Sequence, residues 1–445
     1  MSYVDRLEKV AVLGAAGKMG SGIVLLTALE MADLALDPAH KDRDFVLNAV
    51  DVSSQALAGL TKYLRDQVLR VAEKKAVALR GVYAGRADLV ENEEIIRQYV
   101  EDVLALVRPT TRIEAAYASS LVFEAVNENP GLKVKLLTGI KDHNAKDAWF
   151  LTNTSSIPIS ELDAQVGLGG RIVGFHFYNP PAVQKLVEVI QAATTLPELA
   201  EFATQYAKKL RKTVVPSNDV AGFIGNGHFM RDALYAIAEV ERLGRDHGFV
   251  DAVYMINKVS QEFLIRPMGI FQLVDYVGLD VCRFILGVMN ERLPGKGLHS
   301  PLVDRMVEMG IAGGQFADGS QKDGFLKYEK GRPAGIFDPE TKAYVPLAEV
   351  AARCDERLGP LPVSGKPWKG VMAMADRAGY LDVYFRELRG LKSLGAELAA
   401  SYGRRAKEIG RGLVKDGVAR KDEDVNTVLL TGFYHAFGPI NTYFD

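Results

Sequence analysis

The chain has 445 residues, more than one hydrophobic core usually organises, so we expect two or three domains. Its 54 basic and 56 acidic residues leave a formal net charge of -2, which excludes a molecule-wide attraction to nucleic acid or to an anionic membrane. The first ten residues carry charges instead of the apolar core of a secretory signal, and no apolar run approaches the roughly 20 residues that span a bilayer. Two cysteines and seven scattered histidines form no ligand pattern. We therefore expect a cytoplasmic globular protein without a metal site.

The first half of the chain alternates predicted strands with predicted helices. An aliphatic run at 9–13 ends at Gly14, and a helical pattern follows from Met19 to about Leu36. One long charged helical stretch is predicted at 54–107. Further strands are predicted at 45–50, 121–126, 149–152, 172–177 and 213–215. This alternation predicts a Rossmann-like, doubly wound α/β domain at 1–215, which binds ligands at the carboxyl ends of its strands.

From Val220 onward the pattern changes to long helical periodicities, which predict an all-α C-terminal region. We expect it to contain two tandem helical units, a first copy at 216–345 and a degenerate second copy at 346–445. A segment at 312–362, rich in glycine, proline and charge, is interpreted as the connector between them.

A weak internal repeat supports the tandem interpretation. Asp251 leads through a helix to Arg-Pro-Met-Gly at 266–269, and Asp424 leads to His-Ala-Phe-Gly at 435–438. As a hypothesis about assembly, the second copy packs on the first and takes the place of a partner subunit. Monomer and homodimer both stay open at this point.

The turn after the first predicted strand reads Gly-Ala-Ala-Gly-Lys-Met-Gly-Ser-Gly from Gly14 to Gly22. Glycines let the backbone approach a pyrophosphate, and the start of the next helix directs free N–H groups at its charge. Because the turn follows a strand and opens a helix, it is predicted to bind a dinucleotide. The residues assigned to this binding are Gly14, Gly17, Lys18, Met19 and Gly20.

Asp51 stands at the end of the second predicted strand. A carboxylate there accepts hydrogen bonds from an adenosine ribose and repels a 2′-phosphate, which favours NAD over NADP. The alternative is an ordinary turn-forming aspartate at a strand end. Asp51 lies further from the glycine turn than is usual, so we expect an inserted loop at 32–44.

Five segments in chain order together resemble the 3-hydroxyacyl-CoA dehydrogenase family. They are the glycine turn, Phe123-Glu-Ala-Val-Asn-Glu-Asn129, Asn153-Thr-Ser-Ser156, Gly174-Phe-His-Phe-Tyr-Asn-Pro180 with Lys185-Leu-Val-Glu-Val-Ile190, and Gly222-Phe-Ile-Gly-Asn226. The resemblance is dense over 8–230, thins through 300 and returns weakly at 424–439. The last part is similar to the tandem C-terminal units of multifunctional fatty-acid oxidation enzymes. No hydratase domain precedes the first strand, so a second activity of that kind is not expected.

The resemblance implies oxidation of (S)-3-hydroxyacyl-CoA to 3-ketoacyl-CoA with NAD, as in fatty-acid β-oxidation. His176 would be the general base that takes the hydroxyl proton while hydride leaves the same carbon. Glu188 would orient the imidazole and stabilise its charged form. Ser155 and Asn226 match the positions whose hydroxyl and amide contact the reacting oxygen, where negative charge grows.

Further positions are implied by the same resemblance. Glu124, Asn129 and Asn179 match positions that hold the nicotinamide riboside, although Glu124 could equally be a structural carboxylate. Lys74 and Lys75 lie where family members place basic residues against the CoA phosphates. The alternative for these two lysines is a solvated helix face.

Two departures from the family pattern leave the acyl group open. Gly227 stands where the family has an arginine, and the family's Lys-x-Gly-x-Gly-Phe-Tyr element appears only in altered form at 321–328. One alternative is a dehydrogenase of a free 3-hydroxy acid or sugar acid. Another is a catalytically silent NAD-binding scaffold that holds a partner. The predicted partners are an acyl-CoA substrate and, among proteins, a thiolase or hydratase.

Overall fold

Eight strands from the first half of the chain form one sheet in the computed structural model, which describes residues 1–316 and 319–445. The strands are β1 (Lys9–Leu13), β2 (Val46–Val50), β3 (Val107–Thr110), β4 (Leu121–Glu124), β5 (Trp149–Thr152), β6 (Ile172–Phe177), β7 (Leu186–Gln191) and β8 (Thr213–Asn218). Their order is β3-β2-β1-β4-β5-β6-β7-β8. All neighbours run parallel except β6 and β7. The strand order reverses between β1 and β4, which opens a crevice for a ligand at their carboxyl ends.

Seven helices accompany this sheet in the N-terminal unit, Met1–Asp219. They are α1 (Tyr3–Leu7), α2 (Lys18–Ala35), α3 (Ser54–Val82), α4 (Asn92–Leu106), α5 (Pro130–His143), α6 (Ile159–Val166) and α7 (Pro197–Lys209). Strands β4, β5 and β6 are buried along their whole length, which explains why they are apolar except at Glu124, Thr152 and His176. The predicted Rossmann-like α/β fold is confirmed.

The helical stretch predicted at 54–107 is divided into two helices, α3 and α4. The chain leaves α3 at Tyr83 and starts α4 with a capping box, in which the backbone N–H groups of Val90 and Glu91 donate to Glu94 Oε2, each at 2.9 Å. The phenol of Tyr83 donates to Asp102 of α4 at 2.6 Å, which links the two helices. β3 then begins directly at the end of α4.

The C-terminal unit, Val220–Asp445, is helical, as predicted. Its helices are α8 (Gly225–His247), α9 (Phe249–Lys258), α10 (Ile270–Val277), α11 (Leu279–Arg292), α12 (Pro301–Glu308), α13 (Leu347–Leu358), α14 (Trp368–Met372), α15 (Arg377–Gly390), α16 (Leu394–Lys415) and α17 (Asp422–Gly432). The expectation that this region is all-α is wrong at one place. Within the predicted connector at 312–362, a three-stranded antiparallel sheet is formed by β9 (Leu326–Glu329), β10 (Arg332–Asp338) and β11 (Ala343–Pro346). Two connector residues, 317 and 318, lie outside the described residues.

One local arrangement occurs twice in this unit. Asn257 Oδ1 accepts from the backbone N–H of Phe271 at 3.1 Å, and Asn426 Oδ1 accepts from the backbone N–H of Ile440 at 2.9 Å. Both partners lie fourteen residues after their asparagine. Two further pairs of residues have positive φ and are separated by the same number of residues as Asn257 and Asn426, namely Gly248 with Gly417 and Ile265 with Tyr434.

This offset differs from the alignment expected from the sequence. The expected pairing of Asp251 with Asp424 gave copies of unequal spacing. The separation between Asn257 and Asn426 in the structure instead aligns Asp251 with Arg420, and the two segments then align without a gap. The repeated geometry supports two helical copies, and their boundaries at 216–345 and 346–445 stay predictions.

Candidate active site

The glycine turn after β1 is packed too closely for side chains. Gly14 has a φ of 72°, and a Cβ on it would lie 2.6 Å from the carbonyl oxygen of Ala125. A Cβ on Gly20 would lie 2.0 Å from the carbonyl oxygen of Gly14. Gly17 is the N-cap residue of α2 and has no side chain to cap it. The helix therefore begins at the carboxyl end of β1 with its N-terminus open to an anionic group, next to Lys18 and Met19 in its first turn.

Asp51 lies beside this turn. It follows β2, and its Oδ2 accepts from the backbone N–H of Ala16 at 3.0 Å. Its Oδ1 accepts from the backbone N–H of Ser53 at 3.4 Å. The carboxylate is half-buried at the edge where β1 and β2 end, which is the place that the sequence predicted for it.

A buried charge network lies at the end of β4. Lys133 Nζ, from α5, donates to both carboxylate oxygens of Glu124 at 2.8 Å each. The same carboxylate accepts from Thr152 Oγ1 at 2.6 Å and from the backbone N–H of Val126 at 2.8 Å. Because Glu124 is 0% exposed and both of its oxygens have protein donors, the geometry favours the structural alternative for this residue.

Glu128 connects that network to the segment after β5. Its Oε2 lies 3.1 Å from Lys133 Nζ, while its Oε1 accepts from the backbone N–H of Ser155 at 3.0 Å and from Ser156 Oγ at 3.2 Å. The hydroxyl of Thr154 donates to the same oxygen. Burial opposes ionisation of Glu128, but Lys133 and these donors together hold its pKa below the ordinary value. Glu128 therefore fixes the backbone that carries Ser155.

Glu128 and Lys133 were not predicted from the sequence as site residues. An available signal was a second carboxylate four residues after Glu124 in the same strand-end segment. Asn129, which was singled out, is the N-cap residue of α5 and accepts from the backbone N–H of Leu132 at 2.9 Å. Its cofactor role stays a prediction.

His176 and Glu188 face each other across the antiparallel pair β6 and β7. The strand register places them directly opposite, so both side chains project from the same face of the sheet. His176 Nδ1 lies 3.3 Å from Glu188 Oε1. Glu188 is 0% exposed and His176 is 9% exposed. An imidazole oriented in this way directs its Nε2 atom away from the carboxylate.

Tyr178 completes this group, although the sequence analysis gave it no role. Its phenol donates to Glu188 Oε1 at 2.7 Å, and its ring centroid lies 4.9 Å from that of His176. Burial, and then the charge of Glu188, raise the pKa of Tyr178 well above its ordinary value, so the phenol stays protonated. Only the strand register and the loop path show that this tyrosine reaches Glu188.

Lys212 holds the loop that follows Tyr178. Its Nζ donates to the carbonyl oxygens of Pro181 and Gln184, each at 2.6 Å. Burial lowers the pKa of Lys212 to about 8. The side chain of Pro181 packs against Gly22 of α2, where an added Cβ would lie 3.0 Å away. The loop, which includes Asn179, is thereby packed against the first turns of α2.

The remaining predicted residues lie in other surroundings. Lys75 forms an ion pair with Asp33 of α2 at 3.1 Å, and Lys74 is exposed, both on α3. Lys75 is twenty-one residues beyond the start of α3, about 30 Å along the helix, so the structure does not bring this lysine pair to the glycine turn. CoA binding by Lys74 and Lys75 stays a prediction.

Asn226 belongs to the C-terminal unit, in the first turn of α8, and is half-buried. The next residue explains one departure from the family pattern. A Cβ on Gly227 would lie 3.1 Å from Leu413 of α16, and Arg231 Nη1 donates to the carbonyl oxygen of Gly227 at 2.7 Å. A long side chain at Gly227 would meet α16, which lies within the predicted second copy.

Neither a metal cluster nor a membrane span is found in the described part of the chain. No three His, Cys, Asp or Glu side chains within residues 1–316 and 319–445 are grouped to hold a metal ion. Over the same residues, every helix is too short or too polar to cross a bilayer.

Comparisons with known proteins agree with the geometry. The NAD binding domain of 3-hydroxyacyl-CoA dehydrogenases matches residues 9–220, and the C-terminal domain of the same enzymes matches residues 222–328. A probable 3-hydroxybutyryl-CoA dehydrogenase of Bacillus subtilis is 29% identical over 73% of this chain and 98% of its own length. The mitochondrial hydroxyacyl-coenzyme A dehydrogenase of Rattus norvegicus is 30% identical over 73% of this chain and 92% of its own length.

Two solved structures are similar to this chain in fold. The crystal structure of M. tuberculosis FadB2 is 29% identical, with a TM-score of 0.55, and the match covers 73% of this chain and 100% of that chain. The crystal structure of 3-hydroxybutyryl-CoA dehydrogenase from Escherichia coli K12 is 20% identical, with a TM-score of 0.63. That match covers 98% of this chain and 90% of the other, so the likeness of fold extends beyond residue 328, where the family match ends.

Proposed function

Because the chain belongs to the 3-hydroxyacyl-CoA dehydrogenase family of NAD-dependent oxidoreductases, we propose that it oxidises short-chain (S)-3-hydroxyacyl-CoA to 3-ketoacyl-CoA with His176 as the general base. The observation that carries the proposal is the buried pair of His176 and Glu188, at 3.3 Å across β6 and β7. A base fixed by a carboxylate is what removal of an alcohol proton requires.

The residues of the glycine turn fit NAD. Gly14 and Gly20 leave no room for a Cβ beneath the turn, so the backbone itself forms the surface that a pyrophosphate approaches. Asp51 would accept from the adenosine ribose, and the open N-terminus of α2 would face the pyrophosphate charge. When bound, NAD supplies the nicotinamide that accepts the hydride.

The proton is handled by the chain's own residues. Glu188 Oε1 faces Nδ1 of His176, so Nε2 is the nitrogen that takes the hydroxyl proton of the substrate. Buried Glu188 then stabilises the imidazolium that forms. The Ser155 hydroxyl and the Asn226 amide would donate to the reacting oxygen, where charge grows during transfer. Glu128 supports this role by holding the backbone N–H of Ser155 at 3.0 Å.

The proposed acyl group is short because relatives such as that of Bacillus subtilis carry the name 3-hydroxybutyryl-CoA dehydrogenase. The test is NAD reduction with (S)-3-hydroxybutyryl-CoA, run beside free (S)-3-hydroxybutyrate and beside NADP. We expect turnover with the CoA ester and NAD. Turnover of the free acid alone would instead establish the alternative dehydrogenase, and NAD binding without turnover of either compound would establish the silent scaffold.

The variant His176→Gln tests the residue. We expect kcat to fall about 10²- to 10⁴-fold, the usual contribution of a positioned general base. The matched control is His299→Gln, which removes a histidine that lies 2.7 Å from Asp304 but has a side chain 58% exposed. Full activity in His176→Gln, or an equal loss in His299→Gln, would contradict the assignment.

A further inference from the structure

Two donors converge on one carboxylate oxygen in the candidate active site. Glu188 Oε1 lies 3.3 Å from His176 Nδ1 and accepts from the Tyr178 phenol at 2.7 Å. The contact with the phenol is the shorter one. Because Glu188 is 0% exposed, bulk water does not compete for this oxygen, and each donor affects how strongly the carboxylate acts on the other.

We propose that Tyr178 is a positioning residue that acts through Glu188: it fixes the orientation of Oε1 and shares this oxygen with the imidazole of His176, so it limits how strongly the carboxylate acts on the base. The inference rests on the proposed dehydrogenase function. A phenol that donates to a carboxylate withdraws negative charge from the oxygen that faces the imidazole. The carboxylate then stabilises the imidazolium less strongly than it would without the phenol.

The geometry supports a donor that persists over the working pH range. Burial raises the pKa of Tyr178 well above its ordinary value, and the charge of Glu188 raises it further. The phenol therefore stays protonated at neutral and moderately alkaline pH. The rings of Tyr178 and His176 are 4.9 Å apart and tilted by 43°, so the tyrosine packs on the imidazole as well as bonding its carboxylate.

Most other titratable groups on the elements around β6 are exposed or have partners of their own. Strand β5 carries none, and the charged residues of α7 are exposed. Helix α6 carries Glu161 and Asp163, and Asp163 accepts from the backbone N–H of Gly170 at 3.0 Å. Tyr206 of α7 shares a hydrogen bond of 2.8 Å with Thr27. Lys212, before β8, donates to backbone carbonyl oxygens at 2.6 Å.

The experiment compares Tyr178→Phe with wild type in the direction of alcohol oxidation, over a full pH profile. The control is Tyr83→Phe, which also removes a phenol that donates to a carboxylate, at 2.6 Å from Asp102 between α3 and α4. In Tyr178→Phe, the register of β6 and β7 keeps Glu188 opposite His176, and Oε1 is no longer shared with the phenol. Glu188 therefore stabilises the imidazolium more strongly, and the base stays protonated to higher pH. We expect the acidic limb of kcat/KM to move up by about half a pH unit or more.

The same variant separates positioning from substrate binding. We expect kcat to fall several-fold, about three- to tenfold, while KM for the CoA ester changes less than about twofold. Since Tyr178 acts through Glu188, adding Tyr178→Phe to a Glu188→Gln background should shift the acidic limb no further. Thermal unfolding of each variant checks that the fold is retained.

A readout that does not need turnover keeps the two proposals distinguishable. The titration of His176 can be followed by NMR with ¹⁵N-labelled histidine, and its signal is the one lost in His176→Gln. Its midpoint should rise in Tyr178→Phe and stay unchanged in Tyr83→Phe. An unchanged midpoint in Tyr178→Phe, an equal rise in Tyr83→Phe, or a rise that persists in the Glu188→Gln background would overturn this inference. Absence of turnover in wild type would overturn the proposed function alone.

Discussion

A buried histidine in the C-terminal unit makes the stability of this protein depend on pH. His228, on α8, is 1% exposed, and its Nε2 lies 3.3 Å from the carbonyl oxygen of Ala406. Burial lowers the pKa of His228 to about 4; Asp232 opposes this shift and Arg266 adds to it. In the unfolded chain the ordinary value of 6.5 applies.

The sign follows from proton binding. Between pH 6.5 and about 4 the unfolded chain binds a proton at His228 that the folded chain does not. The free energy of unfolding therefore falls as the pH falls through this window. A separation of about 2.5 pH units, at about 1.4 kcal/mol per unit, corresponds to roughly 3 kcal/mol lost when the window has been crossed. The variant His228→Gln has no imidazole to titrate at this position. Across the same window its free energy of unfolding should therefore fall by that amount less than the free energy of unfolding of the parent protein.

The two tryptophans allow the C-terminal unit to be observed by itself. Trp149 lies in β5 of the N-terminal unit and Trp368 lies in α14 of the C-terminal unit, so a Trp149→Phe background reports unfolding of the latter. Urea unfolding between pH 7.5 and 4 gives the stability difference between the parent and His228→Gln at each pH. A difference that stays constant within about 0.5 kcal/mol over this range would refute the reasoning, and exposed His299→Gln serves as the control.

Two further predictions concern the N-terminal unit. Gly20→Ala would place a Cβ 2.0 Å from a backbone oxygen of the turn. We therefore expect the free energy of unfolding to fall by about 1–3 kcal/mol and NAD binding, measured by calorimetry, to weaken at least tenfold. The control Gly59→Ala, where nothing lies within 4 Å of the added Cβ, should show neither effect. Equal NAD affinity in both variants would contradict the role of the turn. Lys133→Met leaves Glu124 buried without its cation, which should cost about 3–5 kcal/mol in denaturant unfolding, and adding Glu124→Gln should recover a good part of it. A cost below about 1 kcal/mol would show that the network is not energetically coupled.

The sequence predicted those elements whose burial is uniform. Strand β5 was predicted with its observed bounds, because all four of its residues are buried and read as one apolar run. The first strand, the glycine turn and α2 were predicted because glycine spacing marks the turn. The break between α3 and α4 was missed, since both helices are amphipathic and charged and no proline separates them. The small sheet at 326–346 was missed because its strands are short and partly exposed.

For the candidate site, the sequence identified most of the residues but only one pair of partners. His176 and Glu188 were paired by resemblance, and the register of β6 and β7 supplies the physical reason that they can meet. Tyr178 and Glu128 were missed, because a hydrogen bond from the phenol or to the carboxylate depends on loop paths that periodicity does not encode. Residue type therefore predicted the kind of chemistry, while the three-dimensional path of the chain determines which groups act together.

The antiparallel turn from β6 to β7 has a consequence for how this protein can diverge. The proposed base, His176, and its partner Glu188 are twelve positions apart and belong to one hairpin, so they are brought together by local chain geometry. A one-residue insertion in β7 would replace Glu188 by a valine opposite the histidine, whereas substitutions in the helical unit leave the hairpin register unchanged. The proposed proton-transferring pair is thus a single local module, and residues around it can change without altering the contact between the two side chains.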